Sequence, residues 1–181
     1  MKLNSKIFVA GILATLTGVA SANPVMDVYL GGTVGGGAAT VFMDDDSKTQ
    51  GAQSFGAIFG IDIPLLRVEA EYNYLTNEKF STNDAMLNAY FKMLSTMIHP
   101  YIGVGVGSVF GGEADYGVKK YDIKSSVAYQ GMLGLTFDIF AIPVNFDVEG
   151  RVLYAPDFVE IGKEKPDFMQ YDARVKLRYV F

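Results

Sequence analysis

The sequence predicts an all-β protein, an eight-stranded antiparallel up-and-down transmembrane β-barrel. Three observations carry this prediction: apolar and polar residues alternate along most of the chain, short connections alternate with longer polar ones, and the last strand ends in an aromatic residue, Phe181. Alternation with period two is typical of strands with one apolar and one polar face. Past the N-terminus no apolar run approaches the roughly 20 residues of a spanning helix, so a membrane would be crossed by a closed sheet.

The N-terminus has the layout of a secretory signal peptide. Two lysines precede a short, uncharged, mostly apolar run, and small residues follow it. We predict cleavage between Ala22 and Asn23, with Ala20 and Ala22 as the small residues that a signal peptidase reads. The chain then divides into a signal peptide over 1–22 and one domain over 23–181.

Charge and cysteine content exclude several classes of function. The formal net charge of −5 becomes −7 once the predicted signal peptide, with two lysines and no acidic residue, is removed. An acidic exported domain disfavours nucleic acid as a partner. Because the chain has no cysteine, its stability does not come from disulfides. We find no motif for a cofactor and none with the spacing of a metal site. The run Asp44-Asp45-Asp46 is interpreted as a solvated loop tip.

Eight stretches of the chain follow the alternating pattern. The clearest runs from Arg67 to Tyr74, where charged or amide side chains occupy every second position. In chain order the apolar faces are Val28, Leu30 and Val34; Phe55, Ala57, Phe59, Ile61 and Ile63; Val68, Ala70, Tyr72 and Tyr74; Leu87, Ala89, Phe91 and Met93; Ile102, Val104 and Val106; Val127, Tyr129, Leu133, Leu135 and Phe137; Val144, Phe146, Val148, Val152 and Tyr154; and Tyr171, Ala173, Val175, Leu177, Tyr179 and Phe181.

The connections between these stretches alternate in length. Short turns are predicted at 62–65, 95–99 and 139–143, and longer polar loops at 43–51, 76–84, 111–125 and 155–170. Three short turns at one end and four longer loops at the other are typical of outer-membrane barrels, with both termini on the periplasmic side.

Alternation alone also fits a soluble β-sandwich or a soluble periplasmic ligand-binding barrel. The glycines favour the membrane barrel, because many of them lie on the polar face, where they make room for long charged side chains in a narrow interior. These glycines are Gly56, Gly60, Gly103, Gly105, Gly107 and Gly134.

The final strand adds a second argument. Val175, Leu177, Tyr179 and Phe181 match the alternating C-terminal signal that the outer-membrane assembly machinery reads. With the loop pattern and the stretches 100–107 and 147–151, the mature chain resembles the OmpA/OmpX-type, surface-antigen-like outer-membrane proteins. The resemblance implies outer-membrane lipids, lipopolysaccharide and the assembly machinery as partners. It also implies a non-enzymatic role in membrane integrity and in contact with a host or surface ligand through the loops.

The polar faces would place twelve charges in the barrel interior. The acids are Asp27, Glu69, Glu71, Asp147, Glu149 and Asp172, and the bases are Arg67, Lys92, Arg151, Arg174, Lys176 and Arg178. Buried charges are tolerated when they are paired and hydrogen-bonded, which predicts a plug of ion pairs. A narrow ion path along the same groups is the alternative, although an eight-stranded interior is just wide enough for side chains to fill.

A lipid A-modifying barrel enzyme is a further alternative. Enzymes of this architecture use a histidine near the outer leaflet, whereas the single histidine, His99, falls in a predicted turn at the periplasmic end. We therefore predict that the protein is not an enzyme. Aromatic residues near strand ends would form the interfacial girdles: Tyr72, Tyr74, Tyr101, Phe110, Phe137, Phe140, Tyr154 and Tyr171.

Overall fold

The computed structural model describes residues 26–42, 47–77, 80–94, 97–115, 120–122, 125–139, 142–157 and 167–181. Within these ranges the strands are β1 (Asp27–Phe42), β2 (Ser47–Asp62), β3 (Leu66–Thr76), β4 (Phe80–Lys92), β5 (Ile98–Asp115), β6 (Lys120–Asp122), β7 (Ser126–Ile139), β8 (Val144–Ala155) and β9 (Asp167–Val180). In the described part of the chain no helix has the length and apolar character needed to span a membrane.

The eight long strands close into a barrel. Each pairs antiparallel with its neighbours in the chain, and β1 closes the ring by pairing with β9, from Tyr29 opposite Val180 to Phe42 opposite Asp167. The three-residue β6 pairs only with the loop end of β5 and takes no part in the ring. The predicted eight-stranded antiparallel up-and-down barrel is thereby confirmed.

Several strands extend further than the sequence pattern indicates. The loop predicted over 43–51 contains the first residues of β2, which pair with β1 as far as Phe42 opposite Ser47. His99 was expected in a turn but lies in β5, where it pairs with Thr136. The limits of the alternating pattern led to both differences, because ladder hydrogen bonds come from the main chain and continue where side chains no longer alternate.

The two faces of the sheet are reversed relative to a soluble protein. In β3 buried and exposed residues alternate from Leu66 onward, with Arg67 and Glu69 fully buried and Val68 48% exposed. The residues predicted for the apolar faces of the other strands are likewise exposed or partly exposed, and Val28, which is buried, is the exception. This arrangement places apolar side chains toward lipid and polar ones in the interior.

The interior has two layers. A charged layer fills the half next to the turns, and an apolar layer fills the half next to the loops. The apolar layer consists of Ala39, Ala52, Leu75, Met86, Val109, Ala128, Leu153, Ala155 and Phe168, each at most 7% exposed.

Candidate functional site in the barrel interior

The part of the charged layer nearest the turns is built around Asp147 of β8. Its carboxylate accepts hydrogen bonds from Arg178 at 2.8 and 2.9 Å and from Arg67 at 3.1 Å. Arg178 also reaches Asp62 at 3.3 Å, and Lys92 pairs with the same carboxylate. Side chains from five strands, β2, β3, β4, β8 and β9, are joined here by alternating charges.

The middle of the charged layer is centred on Lys176 of β9. Its Nζ lies 2.7 Å from Glu69 Oε1 and 3.3 Å from Glu149 Oε2, and it donates to Tyr90 Oη at 2.8 Å. Arg174, two residues earlier on the same inward face, pairs with Glu149 at 2.5 Å. Two neighbouring inward residues of β9 thus supply cations to Glu149 on the adjacent strand β8 and to Glu69 on β3.

Glu71 links the middle of the layer to its loop side. Arg174 pairs with its carboxylate, which also accepts hydrogen bonds from Asn73 at 2.5 Å and from Asn88 at 2.7 Å. Arg151 Nη1 lies 3.7 Å from Glu71 Oε1. A fully buried carboxylate with this many donors meets the condition under which burial of a charge is tolerated.

The loop side of the layer is held by Arg151 and Asp172. Arg151 donates from Nε to both carboxylate oxygens at 3.1 Å and from Nη2 at 2.5 Å, a bidentate arrangement. Gln170 donates to the same carboxylate at 2.6 Å. Asp84 lies 3.8 Å from Arg151 and accepts from Asn73 at 2.8 Å.

Three inward tyrosines lie across from glycines. Tyr29, Tyr90 and Tyr101 pair in register with Gly60, Gly103 and Gly134. A Cβ at Gly134 would lie 2.5 Å from Tyr101 Oη, so only glycine leaves space for the ring. The hydroxyls donate to carboxylates: Tyr29 and Tyr90 to Glu69 at 2.7 and 2.9 Å, and Tyr101 to Glu149 at 2.9 Å.

Arg67 has the least complete set of hydrogen bonds in the layer. Its Nε and Nη2 are buried and make no hydrogen bond within the described residues. The guanidinium carbon instead lies 4.1 Å from the centre of the Tyr90 ring and 4.6 Å from that of Tyr101. Cation–π contacts with two desolvated rings compensate part of the free-energy cost of these two unsatisfied donors.

The structure brings together ten of the twelve predicted interior charges and places two of them differently. Glu69, Glu71, Asp147, Glu149, Asp172, Arg67, Arg151, Arg174, Lys176 and Arg178 are all buried in the charged layer. Lys92 is only half-buried, at the turn end. The prediction for Asp27 is wrong. Asp27 is the first residue of β1 and lies at the mouth of the barrel, so its side chain is exposed although it has the inward phase of the strand.

Sequence reasoning missed several interior groups. Asp62 and Asp84 belong to the charged layer, as do Tyr29 and Tyr90. Tyr101, which we expected in an interfacial girdle, is 2% exposed and points inward. The sequence contained a signal for the inward position of these tyrosines. Each tyrosine has the inward phase of its strand and lies opposite a glycine of the next strand. Phe140, also expected in a girdle, lies outside the described residues.

The predicted assembly residues lie on the outer face of β9 and at its end. Leu177, Tyr179 and Phe181 are at least half exposed, and Val175 is partly exposed. The Phe181 amide donates to the Val28 carbonyl at 2.9 Å, and its ring meets the Tyr179 ring edge-on with centres 5.2 Å apart.

Three other predicted features lie outside the described residues. They are the cleavage-site residues Ala20, Ala22 and Asn23, and the acidic run at 44–46. Within the described ranges no group of three or more histidine, cysteine, aspartate or glutamate residues is arranged to hold a metal ion.

Comparison with known proteins identifies a family. A family model described as surface antigen matches residues 37–146, more than half of the chain. A search of the curated proteins finds no matching sequence.

Solved structures with the same fold are small outer-membrane barrels. Neisserial surface protein A superimposes with a TM-score of 0.61 at 17% identity, over 82% of this chain and 95% of that one. The N-terminal β-barrel domain of Pseudomonas aeruginosa OprF gives 0.54 at 12% identity, over 82% and 97%. Ail of Yersinia pestis, in complex with the heparin analogue sucrose octasulfate, gives 0.51 at 11% identity, over 84% and 99%. These matches confirm the resemblance to small outer-membrane barrels predicted from the sequence.

Proposed function

Because this chain belongs to the surface antigen family, we propose that it is a non-enzymatic outer-membrane barrel that contributes to membrane integrity and presents its loops for surface contact. The observation that carries the proposal is the interior, which is filled along its length by the charged layer and the apolar layer. Such a barrel binds lipid on its outer face and leaves the permeability barrier of the membrane intact.

The two layers argue against the small-pore alternative for different reasons. In the charged layer Glu69, Arg174 and Lys176 are fully buried, and each has an ion-pair partner within 4 Å. In the apolar layer Leu153 and Phe168 are each 1% exposed and offer a passing ion no polar group. An ion crossing the interior would have to displace both layers.

We propose that the loop end faces the cell exterior and that both mature termini lie in the periplasm. β1 begins and β9 ends at the same end of the barrel as the three short turns. The loops at the other end bear most of the charges outside the interior, as an aqueous surface requires.

The charge of the loops bears on what they contact at the surface. Ail was solved with a heparin analogue, which is a polyanion. In the present chain acidic residues outnumber basic ones in the loops at 43–46 and 156–166. These two loops therefore disfavour a polyanionic ligand and favour neutral or cationic surface groups, or lipopolysaccharide phosphates bridged by divalent cations.

A non-enzymatic role is consistent with the position of His99. Its Nε2 lies 2.8 Å from Asp138 Oδ2 and its Nδ1 lies 3.3 Å from the Met93 carbonyl, at the turn end. A lipid A-modifying reaction would take place at the opposite end, across an apolar band about 25 Å tall.

Planar-bilayer conductance tests the plug directly. The native barrel should give no stable openings. Leu153→Ser, which places a hydroxyl in the apolar layer, should at most give brief openings, and Val152→Ser on the outer face is the matched control. Stable openings of defined size in the native protein would establish a pore. Recovery of the native protein from the soluble periplasm would contradict the membrane location.

A further inference from the structure

The charged layer contains one more buried carboxylate than buried cations. Six acidic and five basic side chains of the described interior are each at most 7% exposed. The acids are Glu69, Glu71, Asp84, Asp147, Glu149 and Asp172, and the bases are Arg67, Arg151, Arg174, Lys176 and Arg178. The half-buried pair of Asp62 and Lys92 at the turn end adds one charge of each sign. With every side chain ionised, the described interior would carry one uncompensated negative charge.

Asp84 of β4 is the buried carboxylate with the weakest ion pairing. Each of the other five has a basic nitrogen within 2.8 Å. The nearest basic atom to Asp84 among the described residues is Arg151 Nη1, at 3.8 Å, which is too far for a hydrogen bond. Arg151 is already engaged, since Nε and Nη2 donate to Asp172 and Nη1 donates to Gln130 at 3.4 Å. The donor that Asp84 does have at 2.8 Å is the neutral amide of Asn73.

The surroundings of Asp84 are largely apolar. Val109 lies opposite Asp84 on β5, Met86 is the next inward residue of β4, and Leu75 is the inward residue of β3 that follows Asn73, the partner of Asp84. All three belong to the apolar layer, and Asp84 itself is 2% exposed. The charged side chains that act on it from other strands are Glu71 of β3, Arg151 of β8 and Arg174 of β9. A buried carboxylate without a close cation is costly, and a proton neutralises such a group.

We propose that the barrel interior binds one proton at Asp84, so that this side chain is a neutral carboxylic acid in the folded protein. The proton comes from solvent as the chain folds. Once it is bound, five carboxylates face five cations and the buried charges balance. The neutral acid still accepts the hydrogen bond from Asn73, and it is compatible with the apolar residues beside it. This proton site rests on the described interior alone and does not depend on any contact made by the loops.

The pH dependence of stability is the first test, measured by urea titration in lipid vesicles. An aspartate of an unfolded chain ionises near about pH 4. The folded barrel would therefore hold one more proton than the unfolded chain above about pH 5, and its folding equilibrium constant should fall about tenfold per pH unit until Asp84 ionises in the native state. Asp84→Asn removes this contribution, so the ratio of the native folding constant to that of the variant should fall by the same factor.

Asp147→Asn is the matched control for this titration. It removes a buried carboxylate that has two arginine partners and is ionised in both states, so its cost should not change with pH over the same range. A ratio for Asp84→Asn that is equally independent of pH would overturn the proposal.

Infrared spectroscopy detects the proton directly. A neutral carboxylic acid has a carbonyl stretching band that a carboxylate lacks, and the folded barrel is measured in a detergent without ester or carboxyl groups. The native barrel should show this band near neutral pH. Asp84→Asn, which introduces a neutral side chain of the same shape, should fold and lose the band, whereas Asp157→Asn, at an exposed position of the loop end, should keep it. Absence of the band from the native protein, its persistence in Asp84→Asn, or failure of that variant to fold would overturn the proposal.

Discussion

Replacing Lys176 with methionine tests whether the charged layer is desolvated. The side chain is fully buried, with Nζ 2.7 Å from Glu69, 3.3 Å from Glu149 and 3.9 Å from Glu71. Methionine keeps most of the volume and removes the charge. Three carboxylates then lose a shared cation while they remain buried, and Tyr90 loses a donor.

The magnitude follows from the environment of the pair. Removing one partner of a buried ion pair costs about 3–5 kcal/mol, whereas an exposed pair contributes only about 0.2–1 kcal/mol. We therefore expect Lys176→Met to lower the free energy of unfolding by about 3–5 kcal/mol. Adding Glu69→Gln should recover much of this loss, because it removes one of the uncompensated charges.

Urea titration of the barrel in lipid vesicles measures the effect. The folded fraction is read from heat-modifiable gel mobility, and Val148→Met on the outer face is the control. A cost for Lys176→Met below about 1 kcal/mol would mean that water screens these charges, and the plug interpretation would then be wrong.

Two further predictions concern packing and assembly. Gly134→Ala should destabilise the barrel by about 1–3 kcal/mol, because its Cβ would lie 2.5 Å from Tyr101 Oη. Gly131→Ala is the control, since nothing lies within 4 Å of its Cβ, and it should change stability by less than about 0.5 kcal/mol in the same titration. Deletion of Phe181 should reduce the amount of folded barrel in outer-membrane fractions, while Phe181→Tyr should retain it; unchanged insertion after the deletion would contradict the assembly role.

The two faces of each strand were predictable from the sequence. Successive side chains of a strand point to opposite sides, so Arg67 and Val68 are separated by geometry alone. The same rule failed at the ends of strands. Asp27 has the inward phase but is exposed at the mouth of the barrel, and His99 extends a strand beyond its alternating part.

The partners of the interior charges were not predictable. Arg174 and Glu71 are 103 positions apart in the chain, and their contact depends on how the strands are staggered around the ring. Asp172 and Arg151 lie opposite each other only because β8 and β9 pair in one register. The placement of each tyrosine opposite a glycine also depends on strand register, since the two residues belong to adjacent strands.

The sequence by itself determined that this protein is a membrane barrel with an apolar outer face and a charged interior, because alternation of residues acts locally along each strand. Only the tertiary structure decided how the charges pair and that an apolar layer closes the loop side of the interior. Each of these depends on side chains from strands distant in sequence, and closure of the sheet is the step that brings them together.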